Sequence, residues 1–245
     1  MMRTCIITLS YNRPDYLAEA IASVEAQTDD DWEHIVLDNG STDPRVREVL
    51  KDALGRSDGR FAFVNGPPLG DSNQIGACWN RLIGMTNSKF ITVLDDDNHK
   101  HPEFLERMLA PMYADPSVDA VTCGWNRMDA AGKVFGSCHL NRQTSLSILT
   151  RTNTIDSNAL VYRRSVLDKI GSYDASLTSY EDWHFAIRLV RRCKLVHLPD
   201  ALIDYREHAS ARSRIAVAQL GAHANSDRIQ KELFTEQELR EVGLI

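Results

Sequence analysis

Phe90 to Lys100 reads FITVLDDDNHK. A largely apolar run, Phe90–Leu94, has the length of a buried strand. It stops against three consecutive carboxylates, Asp95, Asp96 and Asp97. Adjacent carboxylates repel, and burying them unpaired costs several kcal/mol. A bound divalent cation would offset that cost. A solvated turn, or an acidic cap on the following helix, would avoid it.

Working outward, the same arrangement recurs upstream. Cys5–Leu9 reads as a buried strand ending in Ser10-Tyr11-Asn12-Arg13. Pro14 suits the first turn of a helix, and Leu17, Ala20, Ile21 and Val24 give that helix an apolar stripe. Trp32–Leu37 is a second strand, ending in Asp38-Asn39-Gly40-Ser41-Thr42-Asp43, and Pro44 opens a second helix. Phe61–Val64 reads as a strand, Asn73–Met85 as a helix, and Pro102 as the start of another. Strands alternating with helices over short connections predict a parallel sheet covered by helices, with right-handed crossovers. Ligands in such sheets bind at the carboxyl ends of the strands. Ser10–Arg13, Asp38–Asp43 and Asp95–Asn98 occupy three of those ends, so these polar clusters are expected to converge.

Beyond Pro116 the pattern becomes mixed. Val118–Cys123, Lys133–Gly136, Leu160–Arg163 and Leu195–Leu198 read as strands, and Ser165–Ile170 and Glu181–Arg192 as helices. The tail from Ile215 to Leu244 has helical spacing through Ile229, Leu233 and Leu239. The expected division is a nucleotide-binding half over 1–116, a second half of the same domain over 117–212, and a helical tail over 213–245 through which two copies could pair.

With 245 residues, 43% hydrophobic and 25% charged, the chain can bury a substantial core. A formal net charge of −6 argues against nucleic-acid binding, which needs basic stripes. The five cysteines form no C-x-x-C pair, which argues against a zinc cage, and their odd count and scattered spacing suit a reducing cytoplasm. No leader is expected, since Met1-Met2-Arg3 runs straight into a strand, and no apolar run approaches the roughly 20 residues that span a bilayer. A cytoplasmic protein, free or peripheral at the membrane, is the expectation.

The ordered motifs resemble a known family. A strand ending in Ser-Tyr-Asn-Arg-Pro, a strand ending in Asp-Asn-Gly-Ser-Thr-Asp, a strand ending in Asp-Asp-Asp, and then Glu181-Asp182-Trp183 are similar to the inverting nucleotide-sugar glycosyltransferases of family 2, with the GT-A fold. "NQIGACWNRLIG" from Asn73 resembles the family's glycine-containing helix before the metal motif, and "YREHASARS" from Tyr205 its C-terminal Tyr-Arg-x-His segment. The likeness runs over about residues 3–210. It implies an α/β GT-A fold: a Rossmann-like nucleotide-binding sheet with a mixed, acceptor-binding half.

The resemblance also implies roles. Asp97 matches the main ligand of Mg²⁺ or Mn²⁺, a hard ion that wants carboxylate oxygens and neutralises a departing nucleoside diphosphate. His208 is the family's further metal ligand. Asp95 or Asp96 would contact the ribose or the sugar. Asp38 would hold the base or ribose, with Ser10, Tyr11, Asn12 and Arg13 lining the same site and Asn73 and Glu181 adding donor contacts. Asp182 would be the general base. Each has a plainer reading: Asp38 in an Asx turn, Arg13 as a solvated surface residue, Glu181-Asp182 as acidic residues favoured at a helix start. His99 and His101 fit no family position and read as loop residues. Asp95 to Glu106 has calcium-loop spacing, but Lys100 replaces the glycine such a loop requires.

The expected function is a metal-dependent, inverting, hexosyltransferase-like enzyme. It would move a sugar from a nucleoside diphosphate donor to a hydroxyl of a small molecule or saccharide. Uridine is the family precedent for the base, with guanine or thymine open. Two other classes compete. A sugar-phosphate nucleotidyltransferase would carry a Gly-rich loop after its first strand, where this chain has Ser10-Tyr11-Asn12-Arg13. A non-catalytic nucleotide-sugar module would have lost the base or the metal aspartate, and both are present.

Overall fold

Thr4–Ser10 (β1) is rich in β-branched and apolar residues and almost wholly buried, as a central strand covered on both faces must be. The computed structural model describes residues 3–66, 74–138, 144–208 and 222–244, with side chains in the last segment from 225. β1 pairs in parallel with Trp32–Asp38 (β2) on one side and Phe90–Val93 (β4) on the other, and β2 pairs in parallel with Phe61–Asn65 (β3). Pro14–Glu25 (α1), Pro44–Arg56 (α2) and Ile75–Gly84 (α3) make the crossovers. Alternation along β1 divides the layers. Cys5 and Ile7 pack with α3 and with Glu181–Arg192 (α7), while Ile6 packs with α1 and with Phe104–Ala114 (α4).

The second half extends this sheet. Leu160–Arg163 (β8) runs antiparallel to β4, Ala120–Met128 (β6) antiparallel to β8, and Leu195–Arg206 (β9) parallel to β6. Val134–Cys138 (β7) hangs on β6, and His99–Lys100 (β5) pairs with β9. The order is β3-β2-β1-β4-β8-β6-β9-β5. His99 therefore lies in a short strand rather than the loop expected from sequence, while His101 follows that strand in a loop and donates its backbone N–H to Leu202 O at 2.9 Å.

β9 runs eight residues past the expected end at Leu198, to Arg206. The β6–β9 register slips where Pro199 interrupts it: Cys123 faces Leu198, but Gly124 faces Ala201. Proline has no N–H for the ladder, so the strand bulges and resumes. That continuation carries the Tyr205–His208 segment back to the acidic turn.

Gly76 fixes how α3 meets the second half. A Cβ there would lie 2.9 Å from Asp174 O and 3.3 Å from Tyr173 Cβ. Asn80, one turn along, donates to Tyr173 O at 2.8 Å and accepts from Tyr173 N at 3.0 Å. Leu146–Leu149 (α5) is a helix too short for its periodicity to be read, and Val166–Ile170 (α6) precedes α7. In the tail, Ala222–Leu233 (α8) and Glu236–Glu241 (α9) bury Ile229, Phe234 and Leu239 against Leu149, Leu177, Trp183 and Ile187 of the same chain. No helix among the described residues is long and apolar enough to cross a membrane. The five cysteines are free thiols, and Cys5, Cys78 and Cys123 are buried.

Candidate active site

The first two loops are bolted together. Ser10 and Asp38 are register partners at the ends of β1 and β2, and Asn39 N donates to Ser10 O at 2.8 Å. Asn12 adopts a left-handed backbone, φ 53°, a conformation asparagine tolerates. Its side-chain oxygen accepts from Thr42 N at 2.7 Å and Asp43 N at 3.0 Å, and its own N–H donates to Ser41 Oγ at 2.9 Å. Asp38 Oδ1 accepts from Ser41 N at 2.9 Å, which is the Asx turn of the plainer reading. Its buried carboxylate also stands at the carboxyl end of a parallel strand, where ligands bind.

The acidic turn after β4 meets these loops. Tyr11 N donates to Asp96 Oδ2 at 3.3 Å. Arg13 Nη1 donates to Asp96 Oδ1 at 3.1 Å and to Asp97 Oδ2 at 2.7 Å. Arg13 is thus a counter-ion of the cluster rather than a solvated side chain. The aspartates do not cap α4, which begins at Phe104. Burial, reinforced by Asp97, pushes the Asp95 carboxyl up to about 7. Burial pushes Asp96 up to about 6 against the pull of Arg13. Beneath them Lys100 is buried, donating to Asn158 O at 2.7 Å and Thr92 Oγ1 at 3.2 Å, with its ammonium 3.7 Å from the Phe104 ring centroid. Burial lowers it to about 7. Arg13 and Asn158 partner the carboxylates of the turn directly, and burial favours the neutral forms of Asp95 and Asp96.

The end of β9 closes the site. His208 Nε2 lies 2.9 Å from Asp97 Oδ2. Arg206, only 1% exposed, donates from Nε to Asp97 O at 2.9 Å and from Nη1 to Ala130 O at 3.0 Å, while its N–H donates to Asn98 Oδ1 at 2.9 Å. Its guanidinium also pairs with Glu19 and covers the Tyr16 ring at 4.4 Å. The Tyr16 ring in turn lies 5.3 Å from His208. Arg206 and Tyr16 hold His208 against the acidic turn, and neither was singled out from sequence. Arg206 stands inside the Tyr-Arg-x-His segment, where only the histidine had a role.

At the other carboxylate pair, α7 begins at Glu181, after Tyr180 with φ 62°. The Glu181 residue is buried, 3% exposed, so the neighbours are placed differently. Asp182 Oδ1 accepts from Trp183 N and Oδ2 from Asn153 Nδ2, both at 2.8 Å. The segment 153–158 links the two ends: Asn153 touches Asp182, and Asn158 touches Asp95 at 2.8 Å. Of the residues expected at the site, Ser10–Arg13, Asp38, Asp95–Asp97 and His208 come together around the acidic turn. Asp182 joins through this segment. Asn73 lies outside the described residues.

The donor set fits a hard divalent cation. Asp97 and His208, hydrogen-bonded to each other at 2.9 Å, are a carboxylate and an imidazole, donor types that Mn²⁺ or Mg²⁺ accepts. Another His/carboxylate grouping among the described residues is Asp174, His184 and Glu232, where Arg228 bridges the two carboxylates.

The model of the family described as "Glycosyl transferase family 2" matches residues 5–171. Protein CgeD of Bacillus subtilis is 28% identical over 178 residues, covering 70% of this chain and 41% of that protein. An uncharacterized glycosyltransferase of Methanocaldococcus jannaschii is 24% identical over 207 residues, covering 82% and 69%. The chain thus spans less than half of the first relative. Among solved structures, S. aureus TarS 1-349 in complex with UDP-GlcNAc superposes with a TM-score of 0.66 at 19% identity, covering 100% of this chain and 76% of that one. The mannosyltransferase PcManGT from Pyrobaculum calidifontis in complex with GDP-Man and Mn2+ gives 0.70 at 17% identity, covering 98% and 68%. The fold is that of the GT-A glycosyltransferases.

Proposed function

The chain belongs to glycosyl transferase family 2, and we propose that it is an inverting, metal-dependent glycosyltransferase using a nucleoside diphosphate sugar, with UDP-sugar as the donor. The observation that carries this reading is Asp97 Oδ2, held between Arg13 and His208 at the carboxyl edge of the parallel strands. A divalent ion bound by Asp97 and His208 would supply charge neutralisation at the leaving diphosphate. In this reading Asp38 and the Ser10–Arg13 loop bind the nucleoside, and Asp95 or Asp96 contacts the ribose or the sugar.

Asp182 is the base. A hydroxyl acceptor must lose its proton as its oxygen attacks the anomeric carbon. The new C–O bond forms on one face while the bond to phosphate oxygen breaks on the other. The proton goes to the Asp182 carboxylate and the nucleoside diphosphate leaves, so the configuration inverts. Glu181, buried beside it, orders the loop or contacts the sugar. The acceptor is a small molecule or a saccharide.

Two measurements test this reading. Calorimetric titration with UDP, GDP and dTDP, with and without Mn²⁺, should show metal-dependent binding and a preference for UDP. Release of nucleoside diphosphate should then depend on a hydroxyl acceptor. Tightest binding of GDP would correct the base. Binding without any acceptor-dependent turnover would favour a nucleotide-sugar binding module.

A further inference from the structure

Resting on the reading of Asp182 as the base, we propose that segment 153–158 is a positioning strap. Its asparagines serve the two sides of the reaction separately: Asn153 orients the base, and Asn158 orients the donor-side carboxylate Asp95.

The orientation of Asn153 follows from its own hydrogen bonds. Its side-chain oxygen accepts from Ile155 N at 3.0 Å, closing an Asx turn, so its NH₂ faces Asp182 and donates to Oδ2 at 2.8 Å. A carboxylate oxygen has two acceptor positions, so this bond does not bar Oδ2 from receiving a proton. With Trp183 N on Oδ1 at 2.8 Å, the plane of the carboxylate is set from both oxygens.

Asn158 treats Asp95 reciprocally. Its oxygen accepts from Asp95 N at 2.6 Å, and its NH₂ donates to Asp95 Oδ2 and to Asp156 Oδ1, each at 2.8 Å. A second Asx turn, Asn158 N to Asp156 Oδ1 at 2.8 Å, stiffens this end, and Lys100 Nζ holds its carbonyl at 2.7 Å. Ile155 and Asn158 are each 1% exposed, and the strap runs directly into β8, between β4 and β6 in the sheet. Both ends of the segment are thus anchored by side-chain hydrogen bonds.

The two ends predict opposite kinetic signatures. Single-turnover transfer by Asn153→Ala should fall by roughly tenfold or more, the scale of a hydrogen bond to a charged group, with nucleoside diphosphate affinity unchanged. In an Asp182→Asn background the same substitution should cost nothing further, because its effect passes through the base. Asn158→Ala should weaken nucleoside diphosphate binding by a comparable factor and spare the rate at saturating donor. Melting temperatures are measured in parallel. If Asn153→Ala transfers at the wild-type rate, or costs the same with and without Asp182, the strap is overturned. The same holds if both variants lose rate, affinity and melting temperature together, since that is a purely structural role. If Asp182→Asn itself transfers normally, it is the base assignment that has failed.

Discussion

His208 Nε2 and Asp97 Oδ2 lie 2.9 Å apart although 111 residues separate them in the chain. Asp97 lies in the turn after β4, the strand of the parallel half that borders β8. His208 follows β9, which reaches the acidic turn only because it resumes after the bulge at Pro199. The pair therefore exists only when both halves of the sheet are assembled.

If this pair holds the metal, Asp97→Ala should abolish Mn²⁺ binding in a calorimetric titration and abolish transfer. His208→Ala should weaken Mn²⁺ binding without abolishing it. EDTA should silence the wild type, and Mn²⁺ or Mg²⁺ should restore it. Full activity in EDTA, with an unchanged metal titration in Asp97→Ala, contradicts metal dependence.

Asp38 has two tasks that one substitution can separate. Asparagine keeps an oxygen for Ser41 N, so Asp38→Asn should retain the turn and the melting temperature. It removes the charge, and nucleoside diphosphate binding should weaken by roughly 1.5–3 kcal/mol, the size of a hydrogen bond to a charged group. KM should rise more than kcat falls, because the nucleoside contact is similar in ground and transition states. Equal affinity in Asp38→Asn and wild type would leave Asp38 as a turn residue only.

Burial and neighbouring carboxylates, Asp97 first, raise Asp95 to about 7 in the folded protein, against 3.8 for an ordinary aspartate. Between those values the folded state holds more of this proton than the unfolded state does. The stability contributed by the protonated form is complete below about 4 and is lost as pH rises through about 7. Asp95→Asn keeps an acceptor for Asn158 but never ionises. In metal-free buffer its melting temperature should exceed that of wild type at pH 8, and the gap should close towards pH 4. A gap independent of pH would show that Asp95 titrates alike in the folded and unfolded protein.

Gly76→Ala places a Cβ 2.9 Å from the backbone oxygen of Asp174, which cannot rotate away as a side chain could. Overpacking of this kind costs about 1–3 kcal/mol. Urea denaturation should read that loss. Wild-type stability would mean that α3 and the 173–174 loop can separate without penalty.

Much of this site is written locally in the sequence. β1, β2 and β4 are short apolar strands, each running directly into its polar cluster, so period and end could be read together. What eludes such reading is pairing between distant side chains. Arg206 reaches Glu19 across 187 residues, and Asn153 reaches Asp182 across 29. Nothing in a Ser/Thr/Asn-rich loop distinguishes the two asparagines that grip carboxylates from their neighbours. The strand pattern legible at Leu195–Leu198 stops before Pro199, although the ladder resumes beyond it.

The account stands or falls on Asp182. Asp182→Asn preserves shape and can still accept from Asn153, but it cannot take a proton from an acceptor hydroxyl. Single-turnover transfer should be compared for wild type, Asp182→Asn and Glu181→Gln, with donor affinity measured alongside. Asp182→Asn should slow transfer by roughly 10²–10⁴-fold, the usual contribution of general-base catalysis, and bind donor normally, while Glu181→Gln is affected less. Wild-type transfer by Asp182→Asn would contradict the assignment. If Glu181→Gln were then inactive, the base would be its buried neighbour; if both transferred normally, no base would reside at this pair.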